Sequence, residues 1–121
     1  MKKNTIIYWI STGLIGLMML FSSYSYLANP QIAQAFKHLG FSDYFRIELA
    51  AFKIIGAFVL LIPQIPSRVK EWAYAGFGIT FISAAIAHAA SNDPASAVVT
   101  PVIFLGILIL SNIQLHKLKL A

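Results

Sequence analysis

Four long apolar stretches run along the chain, separated by short polar breaks. The first covers Thr5 to Leu27, with Lys2 and Lys3 ahead of it, Tyr8 and Trp9 near its start, and Tyr24 and Tyr26 near its end. Aromatic residues collect where hydrocarbon meets headgroups, so this pattern predicts a membrane span. Asn29-Pro30 then opens a shorter element, because Asn caps helices and Pro suits the first helical position. Ile32, Phe36 and Leu39 recur at i, i+4 and i+7 among the polar Gln31, Gln34, Lys37 and His38, and Gly40 follows as a stop. The spacing predicts about three turns of helix lying on the membrane surface.

A second span is expected over 44–62, capped by Ser42 or Asp43 and broken by Pro63 and Pro66. A third is expected over 71–90, with Glu71 as a cap and Trp72 and Tyr74 at its start. Ser91-Asn92-Asp93-Pro94 reads as a tight loop. The fourth span is expected over 95–115, kinked at Pro101. The fold class is therefore all-α: a four-transmembrane-helix bundle, one membrane domain over 1–121, with a short interfacial helix between spans one and two. Gly13, Gly16, Gly56, Gly76, Gly78 and the alanines around 50 and 84–90 are the small residues that let such helices pack in lipid.

Composition fits lipid as the solvent. Of 121 residues, 59% are hydrophobic and 11% charged, against roughly 45–50% and about 25% in soluble domains. So few polar residues cannot build a water-facing shell. Four spans of about 20 residues use about 80 and leave short loops. The net charge of +5 sits at the chain ends and in one loop, so it reads as a topology signal and not as a nucleic-acid surface. Lys2, Lys3, Arg68, Lys70, Lys117 and Lys119 fall on one side. Lys37 falls on the other, with Arg46 near its border. Basic residues stay cytoplasmic, which predicts a multi-pass protein of the inner (plasma) membrane with both termini cytoplasmic. Ala33-Gln34-Ala35 has the outline of a signal cleavage box, but the apolar stretch before it exceeds the ~7–15 residues of a signal core. An uncleaved first span is expected. The chain has no cysteine, which excludes disulfides, a dithiol motif, thiolate iron–sulfur ligation and a Cys nucleophile.

The second span carries the functional signal. Its purely apolar part, Ile54 to Ile62, is too short to cross alone, so a crossing includes Arg46, Glu48 and Lys53. A charge at a helix centre costs about 2.5–3.5 kcal/mol and persists when paired or turned inward. At 1.5 Å per residue, Glu48 lies about 6 Å deep, Lys53 about 13 Å, and His88 about 3 Å from the same face. With Ser22 to Tyr26 and Thr100, these groups gather in the outer half, and the inner half holds few. That asymmetry predicts a polar pocket open to the outer face. Arg46 and Lys53 share a helix face, whereas Glu48 lies about 160° from Arg46 and about 140° from Lys53. Glu48 therefore needs a partner on another helix, for which His88 is the best placed. Arg46 reads as an anchor that snorkels outward. Lys53 is too deep for that and reads as a buried group of the pocket. For Glu48, structural pairing and site chemistry weigh equally. His38 and His116 read as solvated. Haem is not expected, since only His88 lies in a span, and no metal motif, phosphate loop or nucleophile triad is present.

The runs Leu39-Gly40-Phe41-Ser42-Asp43-Tyr44-Phe45-Arg46 and Lys70-Glu71-Trp72-Ala73-Tyr74-Ala75-Gly76-Phe77, with Lys53, Gly56, Leu60 to Pro63, Ile82 to Ala85 and His88, resemble the DoxX-like membrane proteins. The resemblance implies a four-helix membrane bundle. It also implies a link to quinone-coupled membrane redox systems, since the family takes its name from a small subunit of a thiosulfate:quinone oxidoreductase. It places the recurrent polar positions on Arg46, Glu48, Lys53 and His88. Three functions follow as alternatives. The first is a subunit that binds a quinone for a redox partner protein, with Glu48 and His88 relaying protons and Lys53 stabilising the anion. The second is a non-enzymatic scaffold or assembly factor. The third is a small-solute or lipid carrier, which would need a homo-oligomer.

Overall fold

Five helices follow one another in the computed structural model, which describes residues 2–120. The side chains of Lys2 and Lys119, counted above as topology marks, lie outside the described set. The helices are α1 (Lys2–Ala28), α2 (Pro30–His38), α3 (Asp43–Leu61), α4 (Ser67–Ala90) and α5 (Ala95–Leu120). Among the described residues there is no strand. α1, α4 and α5 are each long and apolar enough to cross a membrane. α3 departs from that composition through Asp43, Arg46, Glu48 and Lys53.

Local chemistry sets the helix ends. Asn29 closes α1 and opens α2: its N–H donates to Ser25 O at 2.9 Å and its Oδ1 accepts from Gln31 N at 2.9 Å. α2 stops at a Schellman motif, with Gly40 at φ +89°, Gly40 N bonded to Lys37 O and Phe41 N bonded to Phe36 O. The rings of Phe36 and Phe41, 5.9 Å apart, supply the apolar contact of that motif. α4 ends the same way. Asn92 takes φ +59°, its N–H reaches Ala89 O at 3.2 Å, and Asp93 N–H reaches His88 O at 3.0 Å. Asn tolerates that conformation better than bulkier residues. α4 starts at Ser67, one turn before the expected Glu71, directly after the break that Pro63 and Pro66 impose.

α1 packs against α3 and α5, and α4 against α5. Among the long helices that touch, the α3–α4 pair is the loosest and leaves a groove. Ile15, Met19, Ala57 and Leu60 are fully buried at the centre, flanked by Phe77, Phe81 and Leu108. Glycine permits the close approach there. A Cβ on Gly16 would sit 2.6 Å from Leu61 Cδ2, and one on Gly56 would sit 2.7 Å from Phe77 Cζ.

The end of the bundle that carries the termini is more polar than expected. Thr12 Oγ1 and Tyr74 Oη lie 2.5 and 2.6 Å from Ser111 Oγ, all buried. Glu71 is not a cap: it bonds Asn112 Nδ2 and lies 2.8 Å from His116 Nε2, which is therefore partnered and not merely solvated. Lys70 is buried, where a loop charge was expected. Its Nζ donates to Val59 O, Leu60 O and Ile62 O at 3.0, 2.9 and 2.9 Å. All three ammonium donors are thus spent on carbonyls at the end of α3: Val59 O and Leu60 O, and the cap's Ile62 O, which also accepts from Ile65 N at 3.4 Å.

Candidate functional site

The opposite end, beneath α2, gathers most of the residues singled out in the sequence. Lys53 points from α3 toward α1 and is buried, with 5% of its surface accessible. Its Nζ donates to Ser22 Oγ at 3.1 Å and to Tyr26 Oη at 2.6 Å, and lies 3.9 Å from the centre of the Tyr26 ring. Among the described residues no carboxylate pairs with it. The cation is held by two hydroxyls and a ring face instead.

Arg46 lies one helical face with Lys53, as the seven-residue spacing required. It does not snorkel outward. Its Nη1 donates to the Tyr26 carbonyl, so the guanidinium caps the end of α1. Its Nη2 is 3.9 Å from Asp43 Oδ1, and its buried Nε has no partner.

Glu48 and His88 do not meet. Glu48 is exposed on the far side of α3 and has no polar partner among the described residues. His88 pairs with Asp93: its Nδ1 lies 2.6 Å from Asp93 Oδ2. The other carboxylate oxygen lies 2.9 Å from His38 Nε2, so His38, read as solvated, is the second partner. The imidazole of His88, and then that of His38, hold the Asp93 carboxyl below the ordinary aspartate value. An ionised carboxylate only accepts hydrogen bonds, so both facing ring nitrogens carry hydrogen. In neutral His88 this leaves Nε2 as the bare acceptor.

Asp93 is the functional candidate that sequence reasoning missed. A signal was present: Asn92 suits the left-handed position after a helix, and the motif it terminates returns the next residue over the last turn. Asp93, five positions after His88, is placed by that motif.

A cavity of about 370 Å³ lies between α2, α3 and α4. Phe36, Phe41, Phe45 and Leu49 supply much of its apolar wall, and Tyr26, Thr80, Ser83 and His88 are its polar members. The aromatic wall is interlocked, with Tyr26 and Phe36 edge to face at 4.8 Å and Phe41 and Phe45 stacked at 4.9 Å. A groove of about 490 Å³ follows along α3 and α4 toward the other end and shares Leu49 and Thr80 with the cavity.

Long apolar helices whose side chains point outward, with the polar groups turned in or placed at the ends, define a multi-pass membrane protein. The chain belongs to the DoxX-like family, whose family model matches residues 10–111. No curated protein and no solved structure matches the chain.

Proposed function

We propose that this chain crosses the plasma membrane four times, with both termini cytoplasmic, and holds a membrane-soluble quinone in the cavity under α2 for a partner redox protein. One juxtaposition carries the reading: Tyr26 and His88 line the same aromatic cavity, and each has a charged or polar partner behind it. Behind Tyr26 stands Lys53, whose ammonium donates to the phenol oxygen and leaves the phenol proton free for a ligand oxygen. Behind His88 stands Asp93, which fixes the ring and directs Nε2 as the proton-exchanging atom.

The chemistry balances as follows. Reduction of a quinone to its hydroquinone takes two electrons, which the partner protein supplies, and two protons. The protons reach the cavity wall one after the other through His88. Each leaves from Nε2 of protonated His88, whose charge the Asp93 carboxylate offsets at Nδ1, and the neutral ring then takes the next proton from water at the same Nε2. Tyr26 and Lys53 stabilise negative charge on the ligand oxygen before the proton arrives. Crossing by α3 is supported by its length: 19 residues at ~1.5 Å each approach the ~30 Å hydrocarbon core.

Glu48 favours a second reading in which the chain also docks a partner. It stands unpartnered beside Tyr44, Ile47 and Phe52, which are 74%, 50% and 60% exposed. A lipid-facing carboxylate is costly, and a donor from a neighbouring protein would offset that.

The test is quinone titration of the purified protein in lipid nanodiscs. Saturable binding of about one quinone per chain is expected, weakened about tenfold (~1.4 kcal/mol) by His88→Ala and by Tyr26→Phe. Binding that never saturates, or that neither substitution changes, contradicts the reading.

A further inference from the structure

We infer that the ligand is a head-and-tail amphiphile, and that the α3–α4 groove seats its long aliphatic tail. The inference rests on the quinone reading for the head and adds the groove residues beyond Leu49 and Thr80.

Three observations carry it. First, the groove adjoins the head cavity: Leu49 and Thr80 line both, so a molecule whose ring lies between Tyr26 and His88 reaches the groove past these two side chains. Second, the groove changes chemistry at that point. Beyond Lys53 and Thr80 its wall is hydrocarbon and aromatic, with Phe52, Ile55, Val59, Val69, Trp72 and Phe77 as the principal side chains. The Trp72 indole N–H is the one polar group among these side chains. Its length suits a chain rather than a ring: Leu49 to Val59 is ten residues of α3, or about 15 Å. Third, the groove opens sideways. Phe52, Ile55 and Trp72 are 60%, 59% and 79% exposed, whereas Gly56 against Phe77 closes the floor. A tail can thus leave the lipid and lie between the helices without passing through water.

Lipid is as apolar as the groove, so transfer out of water supplies no preference between them. The preference comes from packing against a fixed surface. Specificity is therefore expected to depend on tail presence and groove shape.

Gly76 provides the test. It lines the groove, and a Cβ added there meets nothing within 4 Å, so Gly76→Leu carries a side chain into the groove from an unobstructed start. Gly106→Leu on α5, also without a neighbour within 4 Å, is the control. A tail-less quinone and a long-tailed quinone are titrated in nanodiscs, with concentrations expressed per lipid. The expected result is about tenfold tighter binding of the tailed quinone, lost in Gly76→Leu and kept in Gly106→Leu, with tail-less binding unchanged in both. Equal binding of the two quinones by the unsubstituted protein overturns the tail seat and leaves the head site standing. No binding of either removes the head site and the tail seat together. Competition by a long-chain phospholipid as effective as by the tailed quinone overturns the inference in favour of an acyl-chain groove. If Gly76→Leu also loses the tail-less quinone, the decision passes to Trp72 fluorescence in a Trp9→Phe background. A tailed quinone brominated at its far end then quenches Trp72 saturably if the tail lies there, and fails to do so if it does not.

Discussion

Asp93 holds His88 twice: its backbone N–H donates to His88 O at 3.0 Å, and its Oδ2 lies 2.6 Å from His88 Nδ1. The turn that ends α4 therefore also sets the ring that faces the cavity. Because the same carboxylate engages His38, it joins α2 to the α4–α5 loop.

The direction of the Asp93 shift gives a pH prediction. Its folded value lies below the ordinary 3.8 because His88 and then His38 donate hydrogen bonds to the charged form. A depressed carboxyl stabilises the folded arrangement above its ordinary value, and that stabilisation is lost as pH falls through the depressed one. The clasp should therefore survive at a pH where a free aspartate is half protonated. Carboxyl-carbon NMR of Asp93, followed from about pH 6 down to about pH 2, should give a midpoint under the ordinary 3.8. A midpoint at or above that value contradicts the pairing.

The topology is checked by cysteine labelling, for which a chain without native cysteine is well suited. Lys37→Cys should react from outside intact cells with a membrane-impermeant maleimide. Arg68→Cys should react only after permeabilisation. Lys53→Cys should react in neither state, since Lys53 is 5% accessible. Outside labelling of both Lys37→Cys and Arg68→Cys would mean that α3 does not cross.

The helix pattern was legible in the sequence because the bilayer length, the prolines and Asn29-Pro30 each leave a local mark. The facing of α3 was legible too: the seven-residue spacing put Arg46 and Lys53 together and kept Glu48 apart. The partners were not. Glu48 to His88 was the best pairing by depth alone, but depth along a helix axis says nothing about lateral position. Asp93, in a loop, lies outside any calculation based on spans. The polar groups near the termini were missed for a related reason. Ser111, Asn112 and Gln114 sit in an apolar run, and only the packing of α5 against α1 and α4 brings Ser111 to Thr12 and Tyr74. Lys70 looked like a loop charge because its targets are backbone carbonyls, which no side-chain pattern reveals.

Lys70→Met should therefore destabilise the bundle. It strips three hydrogen bonds from the last carbonyls of α3 and its cap, and removal of a charged donor from buried acceptors costs about 2–3 kcal/mol. Unfolding by SDS in mixed micelles measures it. A change under ~0.5 kcal/mol, the size of a surface substitution, contradicts the capping role.

Ser111 should couple Thr12 and Tyr74. Each hydroxyl contact across helices is worth about 0.6–1.7 kcal/mol in a membrane. Thr12→Val and Tyr74→Phe should each cost that much, and their effects should fall below the additive sum. In a Ser111→Ala background both should become nearly neutral. Full additivity in that double-mutant cycle would contradict a shared node.

The most direct test of the ligand site is photolabelling. A quinone carrying a photoreactive group on its ring is irradiated with the protein in native membranes, and the attached peptides are sequenced. Label is expected on the segments around Tyr26, Phe45 and His88, displaced by excess quinone and strongly reduced in His88→Ala. Label spread along α5, or label that excess quinone does not displace, would contradict a quinone site beneath α2.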